Sequence, residues 1–150
     1  MHKFRPTLGI CLFIAVGAIC GSAVVVRAQS TEKSVWTGAY TEEQAARGKA
    51  AYAANCAACH GESLSGIDAA PALTGATFLN NWNSTTAGDL FTRVKTTMPQ
   101  NAPDSLPART VADIEAYVFQ ANGFPAGQVA LPANPALMAG IKIVAAKPGG

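Results

Sequence analysis

Histidine is almost missing from this sequence: there are two in 150 residues, and His2 lies at the N-terminus. Cysteine is also sparse. Cys11 and Cys20 sit in an apolar N-terminal stretch, so the rest of the chain holds only Cys56 and Cys59. No second Cys/His pair exists that could close a tetrahedral zinc site. Charge of either sign is scarce, at 13% of residues. The formal +2 depends on Lys3, Arg5 and Arg27; without them eight Lys/Arg face nine Asp/Glu. No basic face is left to neutralise phosphates, which excludes a nucleic-acid partner. No internal repeat is visible, and 150 residues allow one domain with a limited apolar core.

The remaining cysteines and histidine stand together. Asn55-Cys56-Ala57-Ala58-Cys59-His60-Gly61 reads C-x-x-C-H, the attachment signature of a c-type haem. Two thiols three positions apart on one helical turn can each add to a vinyl group of the same porphyrin. The following histidine is then held under the iron and can supply its proximal nitrogen. A zinc site would find at most three ligands here. A redox dithiol needs no histidine and would come with alternating strands and helices. If both cysteines are thioethers, no disulfide and no free thiol remains beyond the N-terminal stretch. A buried porphyrin would also add apolar contact that so small a chain lacks.

Lys3 and Arg5, the uncharged run from Leu8 to Val26, and Val26-Arg27-Ala28 before Gln29 read as a signal peptide cut after residue 28. The alternative is an uncleaved anchor, since 19 residues are long enough to span a membrane. Val35, Trp36 and Tyr40 are expected to fold back on the domain. Thr41 with Gln44 reads as a capping box for a helix from Glu42 to Ala54. Gly48 inside that helix suggests close approach by another helix, with Tyr52 one turn on. Gly61 to Gly75 reads as loop. In it the Pro71 carbonyl could accept the other ring N–H of His60, although an ordinary loop proline would look the same from spacing alone.

Phe78, Leu79 and Trp82 form an apolar cluster. Thr86 with Asp89 opens another helix, with Leu90, Phe91 and Val94 as its buried stripe. A stiff proline loop follows Met98-Pro99. The last helix runs to about Ala121, with Val111, Ile114 and Val118 on one face and Asn122-Gly123 as its stop. In the Pro/Ala-rich tail, only Ile141 to Val144 suggests a strand or an extended strip.

A His-ligated iron needs a second axial partner or stays open. With His2 in the signal, bis-histidine ligation is excluded within a processed monomer. The contest is Met98 against Met138, or an open site. Met98 follows a capped helix, is braced by Pro99 and lies far enough past His60 to wrap to the other haem face. A mid-loop Met-Pro is also a poor position for core filler. His/Met ligation raises the reduction potential and leaves no axial position for a substrate. The chemistry left is one-electron transfer, and no catalytic residue is expected.

At this point the chain resembles the class I cytochromes c. The matching residues are Gly48 and Tyr52, Cys56 to Gly61, Pro71-Ala72-Leu73, Met98-Pro99 and Ala116-Tyr117, within about residues 40 to 126. The resemblance implies an all-α fold of about four short helices around one covalent haem c. Its first and last helices would cross, with Gly48 and Tyr52 against Ile114 and Tyr117. It implies thioether links at Cys56 and Cys59, axial iron ligands His60 and Met98, and support of His60 by the Pro71 carbonyl. More narrowly, Trp36 to Thr41, Met98 to Pro103, and Asn122 to Gly127 look like small periplasmic mono-haem cytochromes that accompany PQQ-dependent dehydrogenases. Asp104 departs from them, standing where such loops commonly carry glycine.

These resemblances imply a periplasmic electron carrier between a quinoprotein (PQQ) dehydrogenase and a terminal oxidase or membrane cytochrome. A fixed cytochrome subunit of a dehydrogenase complex is one alternative, with the tail as its clasp. An open-site haem enzyme or gas sensor is another. The partners implied are redox proteins, with a membrane involved only if the N-terminal segment stays on; a monomer is expected. The expected division is signal peptide 1–28, cytochrome domain 29–126 and tail 127–150. Protein secreted by a host with haem-attachment machinery should give a pyridine haemochrome spectrum. Colourless mature protein would refute the motif's reading.

Overall fold

The computed structural model describes Met1 and residues 33–148. The expected signal segment, with Cys11 and Cys20, otherwise lies outside the described residues. Regular structure among the described residues is helical: α1 (Glu42–Asn55), α2 (Ala57–His60), α3 (Gly75–Trp82), α4 (Ala87–Thr97), α5 (Ala108–Ala121) and α6 (Pro135–Met138). A single 3-10 turn at Val35–Thr37 precedes them. The expected all-α fold is present, with α2 and α6 as one-turn additions to four longer helices. No described helix is long and apolar enough to cross a membrane.

Local chemistry sets the starts of α1, α4 and α6. At α4, the Asp89 amide donates to Thr86 Oγ1 (3.1 Å) and the Thr86 amide donates to the Asp89 carboxylate (2.9 Å), closing a full capping box. At α1 only half of the expected box forms. Thr41 Oγ1 accepts from the Gln44 amide (3.2 Å), but the Gln44 side chain turns into the core. There it donates to the Leu131 carbonyl (2.9 Å) and accepts from the Leu131 amide (2.7 Å). Buried backbone groups need partners, and the tail offers Gln44 a better pairing than the exposed helix end. Helix α3 has no side-chain cap. Its first amide, of Gly75, donates instead to Asn122 Oδ1 of the segment after α5 (3.0 Å).

The core is built on the crossing of α1 and α5. A Cβ on Gly48 would lie 1.7 Å from the Asp113 carbonyl oxygen and 3.0 Å from Tyr117 Cβ. The backbone that Gly48 meets is thus that of Asp113, one residue before Ile114. One turn on, the Tyr52 and Tyr117 rings lie 5.5 Å apart. Arg47 forks onto the Asp113 carboxylate with two bonds of 3.0 Å at the same crossing. Val111, Ile114 and Val118 are buried as their spacing predicts, and Phe119 is buried with them.

The tail is an ordered strap. Leu131, Met138, Ile141 and Ile143 are buried, and α6 packs on α4. Gly88 allows that contact, since a Cβ there would come within 2.5 Å of the Pro135 carbonyl oxygen. Residues around Lys142 form an extended strip between two segments. The Val35 amide donates to Lys142 O, the Ala87 amide to Ile141 O and the Ile143 amide to Thr85 O, each at 2.9 Å. Trp36 and Tyr40 complete the wrap: Trp36 Nε1 donates to Val144 O (2.9 Å) and Tyr40 Oη to Phe124 O (2.6 Å). Replacing Gly48 by Ala should cost about 1–3 kcal/mol through overpacking at the crossing. Denaturant unfolding of the purified variant checks it.

Candidate functional site

The motif sits where α1 runs out. Cys56 caps α1, its amide donating to Tyr52 O (2.8 Å), and its own carbonyl accepts the His60 amide (2.9 Å) across α2. The direction of α1, fixed on α5, is thus passed straight to the cysteines. Neither is in a disulfide; Cys56 is half-buried and Cys59 exposed. Burial, with a smaller push from Cys59, raises the Cys56 thiol to about 11. Such a thiol stays protonated at neutral pH, unlike the activated thiolate of a redox dithiol.

His60 is 8% exposed. Its Nδ1 lies 2.9 Å from the Pro71 carbonyl oxygen. A carbonyl only accepts, so Nδ1 carries the proton and Nε2 keeps a free lone pair. The intervening loop is folded to make this contact. The Gly66 amide donates to His60 O (2.9 Å) and the Leu73 amide to Leu64 O (2.8 Å). Leu64 and Gly66 both adopt positive φ, of 58° and 77°. A Cβ on Gly66 would meet the Ala70 carbonyl oxygen at 2.5 Å. From α1, Tyr52 Oη donates to Gly61 O (2.7 Å). Burial is the main cause that pushes this phenol up to about 12.

Met98 is the half-buried C-cap of α4, its amide donating to Val94 O (2.9 Å). No hydrogen bond joins it to the group around His60. The loop beyond is clasped by Lys95, whose amine pairs with the Asp104 carboxylate and donates to the Asp104 carbonyl (2.8 Å). Asp104 has φ +61°, the left-handed region that glycine favours and aspartate tolerates. Its departure from glycine therefore keeps the loop's conformation and adds a charge pair. Met138, the other candidate, is fully buried between α6 and the rest of the core. It serves as core filler there.

The donor set fits a c-type haem. Two uncombined thiols and an imidazole with a free Nε2 are grouped on one turn. Leu73, Leu79, Trp82, Val94 and Leu106 offer apolar side chains that the protein itself covers only in part. Ile67 is 48% exposed close by in sequence. Among the described residues no three His, Cys, Asp or Glu side chains cluster as metal-ion ligands, so Cys56, Cys59 and His60 do not assemble a zinc site. A separate cleft between Lys33–Ala39 and Gly127–Ile141 is lined by none of these residues.

A family model described as cytochrome c oxidase, cbb3-type, subunit III matches residues 43–118, which span α1, the motif, Met98 and most of α5. The chain belongs to this family of c-type cytochromes. Its cofactor is haem c with iron, and the domain is an electron-transfer unit. A solved structure of the sulfane dehydrogenase SoxCD from Paracoccus pantotrophus is similar at 28% identity and a TM-score of 0.44. The match covers 54% of this chain and 44% of that one, so the cytochrome spans less than half of that chain's length. No curated protein matches.

Several supports of the cytochrome's site were not read from the sequence: the Tyr52 hydroxyl, the positive φ at Leu64 and Gly66, and the Lys95 clasp. The unusual Asp104 was the one signal that marked the last. Replacing Gly66 by Ala should strain the loop by about 1–3 kcal/mol. The amides of residue 66 and Leu73 should then exchange with deuterium roughly 10- to 100-fold faster, read by hydrogen-exchange mass spectrometry or NMR.

Proposed function

We propose that this cytochrome is a mono-haem electron carrier. Cys56 and Cys59 would hold the haem through thioethers, and His60 and Met98 would hold its iron. The observation that carries this reading is the His60–Pro71 bond, which commits Nδ1 to a carbonyl and leaves Nε2 as the only nitrogen able to bind a metal. When bound, the haem supplies a one-electron couple. The chain's own residues do the rest. The Pro71 carbonyl orients the imidazole and fixes its tautomer. Tyr52 and Gly66 hold the backbone on either side of His60. Lys95 and Asp104 steady the loop that follows Met98.

With His60 and Met98 both holding the iron, no position would be left on it for a substrate, and the chemistry the haem would supply is electron transfer alone. We further propose residues 29–126 as the haem-bearing part, with residues 127–150 as its tail, and export to the periplasm behind the signal segment 1–28. The donor we propose is a quinoprotein dehydrogenase and the acceptor a terminal oxidase or membrane cytochrome, on the motif resemblances around Trp36 and Met98. A fixed-subunit role is favoured by one observation: the matching family is described as an oxidase subunit. Gel filtration with a candidate partner separates a shuttle from a subunit.

Oxidised wild-type protein should show the far-red Met-to-iron charge-transfer band, and reduced protein should refuse carbon monoxide. Met98→Ala should lose the band and bind carbon monoxide without denaturant. A variant that keeps the band would remove Met98 as a ligand.

A further inference from the structure

Glu115 has no part in holding the haem, yet it is the most anomalous side chain in the fold. It lies in the middle of α5, is 2% exposed, and neither carboxylate oxygen has a hydrogen-bond partner among the described residues. Buried polar groups are nearly always paired, and an isolated buried carboxylate is costly enough to take up a proton. A glutamine or leucine would serve packing better. Among the described residues, the charges on the helices packed against α5 are engaged elsewhere or exposed. On α5 itself, Asp113 is taken by Arg47 of α1, and Arg109 is exposed. On α1, Glu42 pairs with Gln120, while Glu43 and Lys49 are exposed. On α4, Asp89 is held by Thr86, Lys95 by Asp104, and Arg93 is exposed. Burial is the sole cause that raises the Glu115 carboxyl well above the usual carboxylate range.

Its place on the helix ties it to the loop that braces His60. Glu115, Val118 and Asn122 follow one another at i, i+3 and i+7, so they share a face of α5. Asn122 Nδ2 donates to Leu73 O (2.9 Å), two residues past the Pro71 carbonyl that meets His60. A charge on Glu115 would therefore act through low-dielectric core, where solvent screens it little.

We infer that Glu115 is a redox-linked proton site: it binds one proton when the cytochrome takes up an electron and releases it when the electron leaves. This rests on the electron-carrier reading above. The electron comes from the reduced donor and the proton from solvent. On reduction an O–H bond forms on the Glu115 carboxylate; on oxidation it breaks and the proton returns to solvent. The sign follows from electrostatics. An ionised Glu115 favours the more positive oxidised site, and a neutral one favours the reduced site. The reduced protein therefore holds the proton more tightly.

The test is a redox titration of purified haem-loaded protein at a series of pH values, for wild type, Glu115→Gln and Glu115→Leu, with oxidised-minus-reduced infrared spectra. In wild type the equilibrium constant for reduction should fall as pH rises, by at most about tenfold per pH unit, over a window above the ordinary carboxylate range. A redox-sensitive carboxylic C=O band should accompany it. Both should vanish in the variants, while haem propionates titrate alike in all three. The same pH dependence in all three proteins, or no such band in wild type, overturns the proposal. Should neither variant fold, the wild-type infrared spectrum across the pH series decides it alone. Colourless wild-type protein would bring down the carrier reading and this proposal together; coloured protein without the Glu115 signature brings down only this one.

Discussion

The backbone-to-backbone approach of α1 and α5 at Gly48 is the constraint on which the site depends. A helix carrying any side chain there could not lie so close to Asp113. The approach brings Tyr52 against Tyr117 and Arg47 against Asp113. Because Cys56 ends α1 and begins α2 without a break, the rigidity of the crossing passes into the motif. Two thiols and an imidazole can then present one geometry to a planar cofactor. Preorganising them spares the entropy of ordering a loose loop around it.

The second half of the site is held by different means. The segment from Gly61 to Leu73 has no regular structure, so its backbone groups find partners one by one. His60 O, Leu64 O, Gly61 O and Pro71 O each accept a bond from a residue that belongs to the site or braces it. Positive φ at Leu64 and Gly66 makes those turns possible at a cost in strain, repaid by a fixed carbonyl beside the imidazole. The Met98 loop is closed by Lys95 and Asp104. Exposed pairs of this kind contribute little to stability, so its value lies in position.

Much of this was legible in the sequence. The C-x-x-C-H spacing, the caps at Thr41 and Thr86, the stripe Val111-Ile114-Val118 and the glycine at position 48 all state local rules that the structure obeys. What escaped were features whose partners lie far along the chain. Helix α3 starts on Asn122, not on a residue of its own. Gln44 leaves its capping box to meet Leu131. Outside the extended strip read at Ile141 to Val144, the tail reads as loose because of its prolines and alanines, yet Leu131 and Met138 also strap it to the core. Glu115 lies within a helix whose buried stripe was read correctly, but nothing in the sequence marks a carboxylate as buried.

The sequence by itself determined the cofactor chemistry, because thiol and imidazole spacing on one helical turn is a local property that needs no tertiary contact. It also determined where α1 and α4 begin and where α5 ends, since caps and a glycine stop act within four residues. Only the tertiary structure decided which proline carbonyl meets His60, which methionine is core filler, and that Asp104 can stand in for glycine. Those outcomes depend on where distant segments meet, and burial there decides which polar groups must be paired.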